Sequence, residues 1–178
     1  MEQKDWNRIT EERVERAKGY FMQGYNCSQS VTLAFADMYD IDTQLMARIS
    51  ASFGGGIGRM RETCGTACGM FMLAGLEVAT PEANPESKKR NYEVVQHLAS
   101  RFKEETGALL CRDLLGLTKK RADGTLPEIK IIATPEARTE EYYKKRPCVR
   151  MVETAVRIYM EWLAGKRAQE QPKQNIAE

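Results

Sequence analysis

The sequence has a single histidine, His97, in a chain of 178 residues. Sites that use two imidazoles are therefore excluded, and so are most schemes in which histidine activates a serine or cysteine nucleophile. His97 lies inside a helical pattern, "VVQHLAS", where a packing or surface role is favoured over a ligand role. The shortage of histidine argues against a hydrolase.

An excess of charge of one sign is also absent, as is any long apolar run. The chain has 27 Lys and Arg against 25 Asp and Glu, which gives a net charge of +2. No basic field predicts a nucleic-acid partner, and no segment approaches the ~18–20 uncharged residues of a membrane helix. The opening stretch "MEQKDWNRITEERVERAKGYF" is too charged for a signal peptide. We therefore expect no membrane insertion and a cytoplasmic location, where thiols stay reduced.

Nucleotide-binding glycine motifs are missing as well, although the stretch "FGGGIGRMRETCG" at 53–65 is rich in glycine. No lysine stands where a P-loop requires it, and the sixth residue counted from Gly54 is Arg59 rather than glycine. The run leads instead into Gly65 and Gly69, which share one face of a predicted helix. Because a glycine inside a helix costs about 1 kcal/mol, the pair indicates close packing of another segment.

What the sequence does contain is helical periodicity with short breaks. Apolar residues make up 42% of the chain and charged residues 29%, as in an ordinary soluble domain. The pattern predicts an all-α fold, a single-domain bundle of about six helices. We expect this domain over residues 1–167, a long irregular segment near 117–146, and a disordered tail over 168–178.

Capping residues and glycines predict the helix boundaries. The predicted starts are Thr10, Asn26 with Gln29 as a capping box, Asp42, Thr63, Asn84-Pro85, Cys111 and Pro147; the last helix runs to about Arg167. Apolar spacing predicts the inward-facing residues Val14, Ala17 and Phe21, then Val31, Ala34 and Phe35, then Leu45, Ile49 and Phe53, then Tyr92, Val95, Ala99 and Phe102. A short β-like run is predicted at 129–132.

The five cysteines are Cys27, Cys64, Cys68, Cys111 and Cys148. An odd number without a secretion signal argues against a disulfide framework. All but Cys68 fall in the first turn of a predicted helix, where the partial positive charge lowers a thiol pKa and favours thiolate. Nearby arginines act in the same direction. If the four helix starts converge, they form a pocket for a compact anionic group; the alternative is that each cysteine is a buried small apolar residue.

Four segments in this order resemble the C_GCAxxG_C_C family of bacterial and archaeal proteins, which is described as redox-active on account of its cysteines. They are "GYNCSQSV" at 24–31, "FGGGIGRMRETCG" at 53–65, "CRDLLG" at 111–116 and "RPCVRMV" at 146–152. The resemblance spans roughly residues 10–160. It assigns the family's four cysteines to Cys27, Cys64, Cys111 and Cys148, while Cys68 is an extra thiol in "CGTACG", where Thr66 replaces an alanine.

The resemblance extends to the non-haem domain of split-Soret cytochromes, which is associated with an iron–sulfur centre. It implies that the cofactor-binding and metal-binding residues are Cys27, Cys64, Cys111 and Cys148, with four thiolates ligating one cluster, most simply [2Fe–2S]. The chain is then an electron carrier or redox sensor with a redox partner protein, and a homodimer is left open. Two alternatives stay open: thiol–disulfide chemistry without metal, and a structural Zn²⁺ or interaction module. No C-x-x-C-H occurs, so no c-type haem is expected.

Overall fold

The computed structural model describes residues 3–129 and 131–170. Within these residues the chain forms eight α-helices and no strand, so the all-α, single-domain prediction is confirmed. The helices are α1 Gln3–Met22, α2 Cys27–Leu33, α3 Thr43–Ser50, α4 Gly65–Val78, α5 Pro85–Thr106, α6 Cys111–Leu114, α7 Glu140–Lys145 and α8 Cys148–Glu170.

The main core lies between α1, α2, α4, α5 and α8. Helix α4 is apolar on most of its surface, and α8 packs against α1, α4 and α5 along its length. The predicted inner residues of α1 and the segment around α2 are confirmed as buried. The largest buried side chains of the core are Phe21, Phe35, Met70, Leu73, Leu98, Phe102, Tyr159, Met160 and Leu163.

Three of the predicted helix caps are confirmed. The Asn26 side chain accepts from two backbone N–H groups of α2 and completes the capping box with Gln29, and Asp42 and Asn84 cap α3 and α5. Two caps are wrong. Thr10 lies inside α1, where its hydroxyl donates to the Trp6 carbonyl, and the N-cap of α4 is Cys64 rather than Thr63.

The predicted inner face of α3 is wrong, and that of α5 is confirmed only in part. In α3, Leu45 and Ile49 are exposed, and the buried face consists of Met46 and Ser50. Met46 packs with Leu33 in a second, smaller core. In α5 the predicted Phe102 is buried and Val95 packs against the core, but Tyr92 is 56% exposed and Leu98, which was not predicted, is buried. A helix is rotated by about 100° for each residue of phase error, which is enough to exchange the two faces.

The irregular segment contains one helix that the sequence did not predict. Thr139 caps α7, and its side-chain oxygen accepts from the Tyr142 N–H. The β-like prediction at 129–132 is wrong, because the described residues of that run have no regular structure and Ile131 and Ile132 are exposed. Helix α8 continues to Glu170, past the predicted end; the remainder of the predicted tail lies outside the described residues. Among the helices of 3–129 and 131–170, none has the length and apolar character to cross a bilayer.

Candidate functional site

Four cysteines stand at the starts of four different helices. Cys27, Cys111 and Cys148 are the first residues of α2, α6 and α8, and Cys64 is the N-cap of α4. The backbone N–H groups of the first turn have no partner inside a helix. At Cys64 two of them, from Thr66 and Ala67, point at the sulfur and act as hydrogen-bond donors.

A tight loop at 54–62 brings these helix starts together. Of the four described non-glycine residues with positive φ, three lie in this loop: Ile57, Arg59 and Arg61. Such conformations cost about 1–2 kcal/mol each and persist where the surroundings hold them. The surroundings here include the Glu62 carbonyl, which accepts from the Cys111 N–H at 2.7 Å. The Cys64 N–H in turn donates to the Leu109 carbonyl at 2.9 Å.

Two glycines create the room in which the cysteines approach each other. A Cβ on Gly56 would lie 2.6 Å from the Cys111 Cβ, and a Cβ on Gly65 would lie 3.1 Å from the Cys27 Cβ and 2.7 Å from the Phe53 carbonyl oxygen. Contacts under about 3.0 Å do not occur between real side chains. The sequence predicted close packing of another segment at Gly65, and the segments that approach it are the backbone at Phe53 and the Cys27 side chain.

Cys27, Cys64, Cys111 and Cys148 all line one small cavity, which we term the cysteine cavity. Its volume is about 20 Å³, roughly the space of one water molecule. The other lining residues are Gly56, Gly65, Leu114, Leu115, Pro147 and Met151. The structure therefore brings together the four sulfurs that the sequence singled out, from segments up to 121 residues apart, and surrounds them with apolar side chains.

Within the cluster the thiols contact one another and nearby donors. All five cysteines are free. The Cys27 thiol donates a hydrogen bond to the Cys148 sulfur. The Cys64 sulfur lies 3.2 Å from the Thr66 hydroxyl, so the residue that departs from the family's alanine supplies a polar contact.

The expectation that helix starts lower the thiol pKa is wrong for three of the four cysteines. Burial raises the pKa of both Cys64 and Cys111 to about 11. The hydrogen bond that Cys27 donates to Cys148, together with burial, raises the pKa of Cys27 well above its ordinary value. That same hydrogen bond lowers the pKa of Cys148. At Cys64 and Cys111 the cost of desolvating a thiolate therefore exceeds the helix-start effect, whereas the hydrogen bond between Cys27 and Cys148 decides the direction of the pKa shift at those two cysteines.

Cys68 is close to the cluster but stands apart from the cysteine cavity. It lies one turn into α4, and its thiol reaches the Thr63 carbonyl oxygen at 3.8 Å. Burial raises its pKa to about 12. The residues that line the cysteine cavity do not include Cys68.

A larger opening of about 280 Å³, the arginine cleft, adjoins the cysteine cavity and shares Cys27, Cys111 and Cys148 with it. The charged residues that line the cleft are Arg59, Arg61, Glu136, Arg138 and Arg146. Arg61 is only 5% exposed and hydrogen-bonds to the Cys111 sulfur. The positive charges of Arg138 and Arg146 lower the pKa values of Cys27 and Cys148, respectively, although these are lesser contributions.

Sequence reasoning missed Arg138 and Glu136, because they lie in the segment that the pattern describes only as irregular. A signal for Arg138 was present in the neighbouring Tyr142-Tyr143 pair. The Arg138 guanidinium stacks 4.9 Å from the Tyr142 ring centroid and 4.4 Å from that of Phe21. A cationic residue near adjacent tyrosines is a common stacking arrangement.

Across 3–129 and 131–170, no group of three or more histidine, cysteine, aspartate and glutamate side chains is arranged to hold a single metal ion. This result offers no support for a structural zinc site, which draws four donors around one ion.

The comparisons with known proteins agree with the cysteine pattern. A family model described as "Putative redox-active protein (C_GCAxxG_C_C)" matches residues 25–162, which contain all four cysteines of the cysteine cavity. No significant similarity to a curated protein or to a solved structure was found. Since the match covers most of the chain, the protein belongs to the C_GCAxxG_C_C family.

Proposed function

We propose that this chain is an electron-transfer or redox-sensing protein in which Cys27, Cys64, Cys111 and Cys148 ligate an iron–sulfur cluster, most simply [2Fe–2S]. The observation that carries the proposal is the convergence of these four sulfurs on the cysteine cavity. Four thiolates are the ligand set of one such cluster, which supplies one-electron transfer when bound. A chance meeting of four cysteines from the starts of four helices is a poorer explanation than a shared ligand.

The donor set fits the group chemically. A [2Fe–2S] cluster takes two protein thiolates on each iron, so it does not need three protein donors around one metal. The cysteine cavity of about 20 Å³ is smaller than a cluster, but three of its four cysteines also line the arginine cleft of about 280 Å³. The side chains of these three cysteines therefore border open space beside the cysteine cavity.

The charges around the cysteines favour an anionic centre. Four thiolates around an oxidised [2Fe–2S] unit carry a formal charge of about −2. The Thr66 and Ala67 N–H groups at Cys64 and the Arg61 guanidinium at Cys111 are donors already directed at sulfur. Binding also deprotonates thiols whose pKa burial has raised, so loading should release protons and weaken at low pH.

The test is metal and sulfide analysis of the full chain purified without oxygen after expression with abundant iron. We expect about two iron atoms and two acid-labile sulfides per chain, with visible absorption from sulfur-to-iron charge transfer. Replacement of Cys64 by serine should remove most of the iron, because Cys64 is the least exposed of the four proposed ligands. Colourless, iron-free protein from this preparation would overturn the proposal.

Cys68→Ser is the matched control. The residue lies on the same helix and is equally buried, yet it does not line the cysteine cavity. The variant should keep the iron content and the absorption of the unaltered chain. Equal loss of iron in Cys64→Ser and Cys68→Ser would contradict the ligand assignment.

Thiol–disulfide exchange between Cys27 and Cys148 is the second candidate, and the direct contact between their thiols favours it. In this case the cleft-facing Cys148 attacks a disulfide of a partner protein, and Cys27 then displaces the reduced partner and closes the intramolecular bond. Two electrons pass from the dithiol to the partner disulfide in this exchange.

The two candidates give different mass spectra. If the second holds, iron-free protein treated with oxidised glutathione should lose the mass of two hydrogen atoms and yield a peptide linking Cys27 to Cys148. Cys68→Ser should still form the link, whereas Cys27→Ser should instead retain glutathione on Cys148. Absence of the linked peptide in the oxidised protein would exclude this candidate.

A further inference from the structure

We propose that the arginine cleft is a binding site for a small oxyanion or carboxylate, and that Glu136 occupies it as an internal substitute for that ligand. The cleft presents four arginines and one glutamate on its lining. Its volume of about 280 Å³ is suited to a compact molecule of a few heavy atoms. The proposal concerns a ligand other than the cluster and goes beyond the proposed function.

Three of the arginines already converge on one carboxylate oxygen. Oε1 of Glu136 lies 3.7 Å from Arg59 Nη2 and 3.9 Å from Arg61 Nη2, and it accepts a hydrogen bond from Arg146 Nη2. Glu136 is 45% exposed, whereas the Arg61 side chain is 7% exposed. The carboxylate therefore enters from the solvent side onto cations fixed in the protein, as a ligand would.

One carboxylate neutralises only part of the positive charge of the four arginines, and it leaves one N–H donor of Arg138 without a partner. Arg138 donates through Nη2 to the Tyr25 carbonyl at 3.2 Å. Its Nη1 is buried and has no hydrogen-bond partner among the described residues. Burial of a charged donor without a partner is unfavourable, and a ligand oxygen would remove that cost. Guanidinium groups pair in bidentate fashion with carboxylates and with sulfate or phosphate, which defines the chemical class.

A ligand in the arginine cleft would lie close to the cysteine sulfurs. Cys27, Cys111 and Cys148 line the same cleft, so a bound anion lies beside the cysteine cluster. Glu136 belongs to an irregular segment held by contacts such as the 2.9 Å hydrogen bond from Arg59 Nε to the Ile132 carbonyl. Displacement of Glu136 by an external anion therefore needs only a local movement of this segment.

The test is isothermal titration calorimetry of the full chain with sodium malonate and with sodium sulfate, at constant ionic strength and with chloride as reference. We expect saturable binding of one anion per chain, with no such signal from chloride. Tighter binding of malonate identifies a carboxylate ligand, and tighter binding of sulfate identifies a tetrahedral oxyanion.

Two cleft variants and one outside variant complete the test. Glu136→Gln should bind the anion about tenfold more tightly, because a competing charge is removed. Misfolding cannot produce such a gain. Arg146→Gln should weaken binding about tenfold, while Arg8→Gln, an exposed arginine paired with Glu12, should leave it unchanged.

No binding to either the unaltered chain or Glu136→Gln would overturn the proposal, and so would equal loss in Arg146→Gln and Arg8→Gln. The readout is the heat of anion binding, whereas the proposed cluster is tested by iron and sulfide analysis. Failure of one proposal is therefore distinguishable from failure of the other.

Discussion

The smallest side chain in the site, Gly65, controls how closely two segments approach. Replacement by alanine would place a Cβ 2.7 Å from the Phe53 carbonyl oxygen. We expect Gly65→Ala to lower the free energy of unfolding by about 1–3 kcal/mol, the usual cost of overpacking. Iron content should fall as well, since the same Cβ presses on Cys27. Urea unfolding and iron analysis measure the two effects.

Gly75→Ala is the control within the same helix. A Cβ at Gly75 meets no described heavy atom within 4 Å. Alanine should therefore stabilise α4 by up to about 1 kcal/mol through helix propensity alone. A Gly65→Ala variant as stable as Gly75→Ala would show that the close approach has no energetic consequence.

Ionisation of Asp37 should make the free energy of unfolding depend on pH, independently of the cysteines. Partial burial raises its pKa, but hydrogen bonds from Arg13 and Arg16 outweigh burial and lower the pKa to about 2. Ionised Asp37 thus stabilises the fold above about pH 4, and this contribution is lost as pH falls toward the folded pKa. Because Asp37 is 53% exposed, we expect no more than about 1 kcal/mol.

The measurement is urea unfolding of the unaltered chain and Asp37→Asn across acidic pH. The difference in free energy of unfolding between them should be constant near neutrality and shrink below about pH 4. A difference that stays constant down to about pH 2 would rule out the ion pairs as its source.

At the scale of the element, a helix cap fixes the position of a cysteine at the helix start. Asn26 caps α2 immediately before Cys27, and its Nδ2 also donates to the Ala51 carbonyl at 2.7 Å. Asn26→Ala should lower the free energy of unfolding by about 1–2 kcal/mol and reduce iron retention, because the start of α2 would fray. Thermal unfolding and iron analysis report the two effects.

Asn84→Ala is the matched variant, since Asn84 caps α5 with the same pair of backbone contacts and does not line the cysteine cavity. It should cost a similar free energy and leave iron content unchanged. Equal iron retention in both variants would mean that the α2 cap has no part in forming the site.

The helix caps were predictable from local sequence, whereas the buried face of one helix was not. The caps at Asn26, Asp42 and Asn84 were predictable because a cap is an interaction within four residues. The buried face of α3 was not, because it depends on which neighbour the helix meets. Met46 is buried against Leu33 and Ala36, which come from an earlier segment.

At the scale of the whole molecule, a buried polar network joins α8 to α4. The Tyr159 hydroxyl contacts Tyr39 and reaches the Leu73 carbonyl at 3.1 Å. Tyr39 donates to Glu77 at 3.1 Å, and Glu77 is 4% exposed and pairs with Lys166 at 2.9 Å. Since α4 and α8 share one core, we expect the chain to unfold as one cooperative unit.

The Tyr159→Phe variant tests whether the chain unfolds as one cooperative unit. Loss of the hydroxyl should lower the free energy of unfolding by about 1–3 kcal/mol, because buried partners are left unpaired. Iron content should not change in the folded variant, and helix signal and visible absorption should be lost together on heating. Two separated transitions would show that the cysteine cluster and the core unfold independently.

The sequence by itself determined the all-α class, most helix starts and the placement of four cysteines at those starts, because each of these depends on residues within one or two turns. The tertiary structure decided the rest. It brought Cys27, Cys64, Cys111 and Cys148 to one cavity, where burial reversed the expected direction of the thiol pKa at Cys64 and Cys111 and the hydrogen bond to Cys148 reversed it at Cys27. It also placed the arginines of distant segments around Glu136. Burial and long-range contact sum over residues far apart in the chain, so no local pattern contains them.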